Sequence, residues 1–582
     1  MKNTRLITNI IAVALLSCMF FLAITSMAND SVTMDEKAHL PAGYSYLTQK
    51  DMRLNPEHPP LIKDLAALPL LFIKNINFPS DIKAWQQDIN GQWEFGDHFL
   101  FQSNNPTDKM MFWARIPMVL VLMVLGFYVF KWAKELFGKK AALLSLFLFS
   151  FSPTFLAHGR LITTDVGAAA GIFIATYYFL KALQEPISRN IWLAGIAFGI
   201  AQLCKFSVIL LIPFFIVLSF VYWFLKLGNL KQIVKTFLLI MIIGFAVIWP
   251  LYQYHVLNYP AEKQQTDAQL YLKDYPGFIK NPIIWASDKP ILRPYAQYFT
   301  GLFMVFHRAA FGHTTYFMGE VSNLGWKKYF PIVYSIKAPL TFHILSLITI
   351  IYILKSIICS KKKCSQKIQE WIKTHFNEFA MLTFIAIYWA SSLISSLNIG
   401  VRHLLPTLPF VFILIGGAIA KLLKQPNLKL KTFILGFLIA YQAFSVVSVY
   451  PHFLAYFNET VGGPDNGYIF TVDSNLDWGQ DLRRLEKWTE EYLPEGKQIY
   501  VDYFGGSDPE YYLKEKYVRW QCTNQEQDFP KNNYLAISAT FLQSGRGTPI
   551  PELDYPAFCY KWLDKYQLVE KIGYSIFVYY ID

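Results

Sequence analysis

The chain has 582 residues, 54% of them hydrophobic and 16% charged. Soluble domains carry about 25% charged residues, so the composition excludes an ordinary soluble enzyme and points to a membrane protein. A formal net charge of +12 would suit a nucleic-acid partner, but in a membrane protein excess Lys and Arg marks cytoplasmic loops. The placement of those charges accounts for them without nucleic acid.

The first apolar run covers residues 7–27, behind Lys2 and Arg5, which put its start in the cytoplasm. Ser26-Met27-Ala28 resembles a signal-peptidase site. The run exceeds the roughly 7–15 residues of a signal core, so a retained anchor is expected instead. Further spans fall near 113–131, 141–157, 164–182, 190–204, 206–225, 233–254, 333–355, 378–397, 403–423 and 432–450. That makes about eleven crossings of a hydrocarbon core about 30 Å thick. Lys131, Lys134, Lys139 and Lys140 share one loop, Lys181 and Arg189 bracket the next, and Lys226, Lys231 and Lys235 form a third. Lys355, Lys361, Lys362, Lys363 and Lys367 form a fourth, and Lys421, Lys424, Lys429 and Lys431 a fifth. Every alternate loop is therefore basic, the pattern of cytoplasmic loops.

The other side receives loops at 28–112 and 255–332, turns at 158–163, Lys205 and 398–402, and everything after 450. Two regions are expected: a transmembrane domain over 1–450 and an extracytoplasmic α/β domain over 451–582. The latter shows Tyr-rich strands at 498–504, 534–538 and 575–580 and a helix at 479–492. There is no internal repeat, which weighs against transporters built from duplicated halves. Cys18 and Cys204 sit in apolar runs as packing residues, and Cys359 and Cys364 flank a Lys-rich loop without a nearby His. Cys522 and Cys559 lie in the polar C-terminal part, where an oxidising compartment would permit a bridge that sequence does not establish.

The polar residues on the outer side need a reason. Asp35 and Glu36 follow the first span, and His39, four residues after Asp35, shares its helical face. His58-Pro59-Pro60 leads into 61–72, too short and polar to span and better read as an interfacial helix. Asp165 opens a span behind Thr163 and Thr164, where it favours the positive helix end. Lys205 interrupts an apolar stretch; snorkelling to the interface is its plain explanation. His307 and Arg308, Arg402 and His403, then Asp473, Asn475, Asp477 and Gln480 repeat the theme. Ionisable residues at span ends are costly and are functional candidates by default.

Such a set suits transfer of a sugar from a polyprenyl phosphate. A carboxylate takes the acceptor proton, cations neutralise the departing phosphate, and a lateral opening admits the lipid while excluding bulk water. Asp35 or Glu36 can supply the base, and His58, Lys205, Arg308 and Arg402 the positive charge. A polytopic transporter or flippase is the competing reading, but should place its charges near the midplane.

The acidic pair after the first span, the 58–61 stretch and the Thr164-Asp165 turn resemble the GT-C glycosyltransferases. The nearest branch is the protein O-mannosyltransferase and aminoarabinose-transferase group, to whose bacterial members 326–339, 398–406, 456–458 and 473–480 are also similar. The resemblance implies a polytopic GT-C-like fold and an inverting, single-displacement transfer. It makes Asp35 the catalytic base, with Glu36 beside it and Asp165 as the second external acid. In relatives a Lys precedes the Pro-Pro-Leu stretch and contacts the lipid phosphate; here His58 holds that place. His39, His307, His403, Asp473 and Asp477 remain as sugar or acceptor contacts. The implied partners are a polyprenyl-phosphate-linked sugar, membrane lipids and a protein, lipid or glycan acceptor. The resemblance implies no certain cofactor and leaves a divalent metal open, since branches of the family differ in its use.

Overall fold

The computed structural model describes residues 2–358, 364–424, 428–551, 553, 555 and 558–582. Cys359 and the lysines at 361–363 lie outside the described residues. The chain is a helical bundle whose loops at 28–112 and 255–332 and C-terminal part are packed together at one end. Five helices matter most for the acidic residues gathered at that end: α1 (Lys2–Met27), α2 (Met34–Gln49), α3 (Leu61–Ala67), α4 (Thr107–Phe137) and α5 (Thr164–Gln184).

Among the described residues, eight helices are long and apolar enough to cross a membrane: Arg5–Met27, Thr107–Phe137, Thr164–Gln184, Phe206–Phe224, Leu230–His255, Phe376–Ile394, Val401–Leu422 and Leu428–Val447. The other three expected spans differ for physical reasons. Tyr329–Lys337 and Leu340–Lys355 are two helices bent by 114°. Pro339 between them pushes Ala338 out of helical geometry into an extended conformation. Lys139–Ser150 and Ser188–Gln202 are helices of only 12 and 15 residues, short of the roughly 20 that a full crossing takes. The segments fall where the hydropathy puts them, and among the described residues eight of them are single helices of full crossing length; Ser188–Gln202, though short, runs back alongside Thr164–Gln184 and returns Lys205 to the end where Asp165 stands.

Thr164–Gln184 and Val401–Leu422 are the most enclosed of the eight, and both carry ionisable residues at the same end. The expected interfacial segment forms as α3 followed by a 3₁₀ turn, Leu68–Phe72. Ile62, Lys63 and Asp64 are buried, whereas Leu68, Leu71 and Phe72 face outward. That division suits a helix lying at a membrane surface.

Eight strands complete the fold: β1 (Thr315–Phe317), β2 (Glu320–Ser322), β3 (Ile499–Asp502), β4 (Tyr517–Arg519), β5 (Asn533–Ser538), β6 (Thr548–Pro549), β7 (Leu568–Ile572) and β8 (Ile576–Ile581). A five-stranded sheet runs in the order β4-β3-β5-β8-β7, with β3 parallel to β4 and β5 and the other pairs antiparallel. Alternation predicts β3, β5 and β8 in place; β4 and β7 carry too few alternating residues to announce themselves. The hairpin β1–β2 continues into β6, which stitches the loop at 255–332 to the C-terminal part. Cys522 and Cys559 form a disulfide in that part.

The first loop is sewn to the C-terminal part as well. The Ser31 and Met34 amides donate to the Gln480 and Trp478 carbonyls at 3.0 Å each. Arg484, partly buried, pairs with Asp30 at 2.8 Å, and Asp30 also with Arg160 at 3.0 Å, both of the latter buried. These contacts fix where α2 begins, and with it Asp35.

Candidate active site

Asp35 and Glu36 are neighbours, so their side chains leave α2 about 100° apart. Glu36 points inward and is saturated. Its carboxylate accepts from Arg115 Nε at 2.8 Å and Nη2 at 2.6 Å, from the Thr33 amide at 2.9 Å and from the Ile162 amide at 3.0 Å. It is fully buried and takes no part in lining the cavity that Asp35 faces. Glu36 closes the first turn of α2 and ties it to the turn before α5.

Asp35 looks the other way, into a cavity of about 300 Å³. Arg402 reaches it from the start of a different span, Nη1 lying 2.8 Å from Asp35 Oδ2 and 3.2 Å from Asp165 Oδ2. The same guanidinium donates from Nε to Ser474 Oγ at 3.1 Å and lies 4.2 Å from the Trp478 ring centroid. Lys205 Nζ binds the other Asp165 oxygen at 2.6 Å. The chain Asp35–Arg402–Asp165–Lys205 thus alternates in sign across separate elements. Burial pushes the Asp35 carboxyl up, but the Arg402 guanidinium and then His39 outweigh it and hold it below its ordinary range.

The cavity lining brings together Asp35, His58, Lys205, Arg308, Arg402 and His403. Arg308 stands on the helix Arg293–Phe311, which packs against the His58 turn at Gly301: a Cβ there would lie 2.1 Å from the Pro56 carbonyl oxygen. Arg308 is exposed at the rim. Glu57, Tyr388, Ser391 and Ser392 also line the cavity, and no sequence pattern singles them out. Glu57 is hidden in a proline-rich turn; the others are single polar groups inside a span.

His58 sits where expected but not as a cation. Burial, then its neighbours His39, Lys63, Lys205 and Arg308, hold its imidazole well below the ordinary value, so it is neutral near pH 7. His39 lies behind it, with ring centroids 5.0 Å apart in an edge-to-face contact and Nδ1 2.8 Å from the Ile162 carbonyl oxygen. His307, the neighbour of Arg308, points away and lies 3.7 Å from Asp274.

Lys63 fixes this turn. Its ammonium is 2.8 Å from each of the Asn55 carbonyl, Asn55 Oδ1, the His58 carbonyl and the Tyr46 hydroxyl. Burial lowers it to about 7, against the opposing pull of Glu57 and Asp64. Between about 7 and about 10.4 the unfolded chain holds a proton that the fold has released, so this group adds stability as pH rises through that window. Lys63→Met is expected to abolish that gain. It should also cost about 1.5–3 kcal/mol at pH 7, because the carbonyls lose a charged donor. Thermal unfolding in detergent at pH 7 and pH 9.5 reads both effects, and an unchanged pH slope would dismiss this account.

Asp473 and Asp477 are not in the cavity lining. Burial raises Asp473 to about 6, with Arg402 opposing. Asp477 is fully buried, accepts from the Thr540 amide at 2.8 Å through Oδ2, and leaves Oδ1 without a partner among the described residues. Burial carries it to about 8, against hydrogen bonds from Thr540. The fold therefore holds a proton that the unfolded chain loses above about 3.9, and stability falls as pH rises towards 8. Asp477→Asn should remove that decline and raise the melting temperature at pH 8, because an amide keeps an oxygen for the Thr540 amide and never becomes a buried charge. A lower melting temperature at pH 8 would count against it.

Among the described residues no group of three His, Cys, Asp or Glu side chains is arranged to hold a metal ion. Asp35 and Asp165 are each already engaged by Arg402, and Asp165 by Lys205 as well. That donor set does not fit a divalent cation, and no step is routed through one.

Residues 107–252 match the family model of the dolichyl-phosphate-mannose-protein mannosyltransferases. The matched stretch contains Arg115, Asp165 and Lys205. The S. cerevisiae protein O-mannosyltransferase Pmt1-Pmt2 complex bound to the sugar donor superposes with a TM-score of 0.52 at 12% identity, over 76% of this chain and 90% of that one. The chain shares the fold of that membrane protein. ArnT from Cupriavidus metallidurans bound to undecaprenyl phosphate matches over 97% of both chains, with 11% identity and a TM-score of 0.46. The archaeal oligosaccharyltransferase AglB from Archaeoglobus fulgidus, in complex with an inhibitory peptide and a dolichol-phosphate, matches over 90% of this chain and 69% of that one, with 12% identity and a TM-score of 0.46. No curated protein sequence matches the chain. The matched segment is thus similar to the dolichyl-phosphate-mannose-protein mannosyltransferases, and the likeness to the yeast complex is one of fold.

Proposed function

We propose that the chain transfers a sugar from a polyprenyl-phosphate carrier to an extracytoplasmic acceptor in a single inverting displacement, with Asp35 as the base. The observation that carries this reading is the cavity itself, where Asp35 faces the same space as Lys205 and the rim residue Arg308. The superposed yeast complex is bound to a sugar donor, a ligand of the class this cavity suits.

The acceptor gives its proton to an Asp35 oxygen as its own heteroatom attacks the anomeric carbon. The bond from that carbon to the phosphate oxygen breaks on the opposite face, inverting the configuration. The departing polyprenyl phosphate gains negative charge, which Arg308 at the rim and Lys205 within neutralise; removing one such donor costs about 10²–10³ in rate. Lys205 keeps donors to spare after binding Asp165, because an ammonium has three. Arg402 is occupied by two carboxylates and orients the base. Asp165 in turn holds Arg402 and Lys205 in place. Neutral His58 offers a hydrogen bond to the phosphate without adding charge. Glu36 belongs to the scaffold.

The basic-loop pattern supports a cytoplasmic N-terminus and an outer-face cavity, and the Cys522–Cys559 disulfide suits an oxidising compartment. The deciding experiment incubates purified protein with defined polyprenyl-phosphate sugars and candidate acceptors, followed by mass spectrometry. A glycosylated product supports the reading. Movement of the lipid-linked sugar across proteoliposomes without any transfer would replace it with the flippase alternative.

A further inference from the structure

A second cavity, of about 450 Å³, lies in the C-terminal part, and the proposed transfer makes no use of it. It sits at the carboxyl ends of parallel strands β3 and β4, with Phe541 contributed from just beyond β5. The chain leaves β3 for β4 on one side and returns to β5 on the other, so β3 lies between its two successors. Crevices at such reversals, outside the carboxyl ends of parallel strands, are where open α/β sheets take ligands.

The lining combines rings with hydrogen-bonding groups. Asp502 ends β3, and its carboxylate is supported from behind by the Tyr560 hydroxyl. Arg519 ends β4 and is exposed; Tyr503, Trp520 and Phe541 supply aromatic surface. The Trp520 amide donates to the Val501 carbonyl at 3.0 Å, fixing its backbone beside β3. Its buried indole N–H has no partner among the described residues, an arrangement that normally awaits a ligand or water. Aromatic faces pack against the C–H faces of pyranose rings, while a carboxylate and a guanidinium bracket vicinal hydroxyls with paired acceptors and donors. A free anion is the poorer fit, because Asp502 stands beside the single arginine.

The cleft is joined to the catalytic loop. Ser507, in its lining, donates from Oγ to the Val32 carbonyl at 3.1 Å. A Cβ on Gly506 would lie 2.1 Å from the Thr33 carbonyl oxygen, so this loop packs backbone to backbone against the turn that opens α2. We infer that the cleft is a saccharide-binding subsite that holds a glycan portion of the acceptor beside the loop carrying Asp35. Saccharide binding stands independently; only its service to the acceptor rests on the proposed transfer reaction.

The test is isothermal titration of the full-length protein in detergent with maltopentaose, mannopentaose and chitopentaose. At least one should bind. Arg519→Ala, at an exposed position that the fold does not need, should weaken it about 10-fold, the loss of one charged hydrogen-bonding partner. Asp502→Asn, which can still accept from Tyr560, should weaken it as well, and Asp35→Asn should leave it unchanged. Absence of binding by all three sugars, or binding lost in Asp35→Asn but kept in Arg519→Ala, overturns the assignment. Cleft-dependent binding in a protein that transfers no sugar would uphold this inference and sink the transferase reading. Transfer without any cleft-dependent binding would do the reverse.

Discussion

Replacing Asp35 by Asn is expected to cut sugar transfer by about 10²–10⁴-fold, the usual contribution of a positioned general base. Donor binding and thermal stability should be left near wild type. Asn is nearly isosteric and keeps an oxygen for Arg402 Nη1, so the loss falls on proton transfer and not on the architecture. The pH profile adds a separate check. Arg402 holds the Asp35 carboxyl below its ordinary range, so the base form is already populated throughout pH 5–8. Wild-type transfer should show no acid limb in that interval from Asp35. His58 should contribute none either, since burial keeps it neutral there. An inflection near the ordinary histidine value of about 6.5 would assign the base to an imidazole, and undiminished transfer in Asp35→Asn would remove Asp35 from the reaction.

The residues most legible in the sequence are those whose chemistry contradicts their surroundings. Asp165, Lys205 and Arg402 stand at the ends of apolar runs, where an ionisable group is costly enough to require a partner. The structure supplies that partner as a single chain of opposite charges. What sequence does not show is direction. Asp35 and Glu36 look equivalent in one dimension; helical geometry sends one to the cavity and the other to Arg115, 79 residues away and hidden inside an apolar span. The same holds for His307 and Arg308. Asp473 and Asp477 resemble site residues because they follow a span in an acidic cluster. Their environment is decided by Thr540 and Arg402, which no local pattern announces. The bent pair at Pro339 is legible in principle, since a proline between two apolar halves is a known interruption, but total hydropathy masks it.

Arg402→Met should have a different signature from Asp35→Asn, and the difference separates a positioning residue from the base it positions. Arg402 is buried and is the shared counter-ion of Asp35 and Asp165. Removing it leaves Lys205 to compensate Asp165 and nothing comparable for Asp35. Breaking a buried charge pair in this way costs about 3–5 kcal/mol, read as a lower melting temperature in detergent. The effect on transfer follows from sign. Without the guanidinium, burial and the nearby Asp165 charge both push the Asp35 carboxyl up, so it binds a proton at pH values where the wild type is ionised. Transfer should be nearly absent at pH 6 and partly recover towards pH 9, whereas Asp35→Asn recovers at no pH. Arg402→Lys returns a charge but not a fork able to reach two carboxylates and Ser474 together. It should therefore restore stability more than rate. A flat, low activity for Arg402→Met across that pH range would mean that Arg402 acts on the substrate itself and not through Asp35.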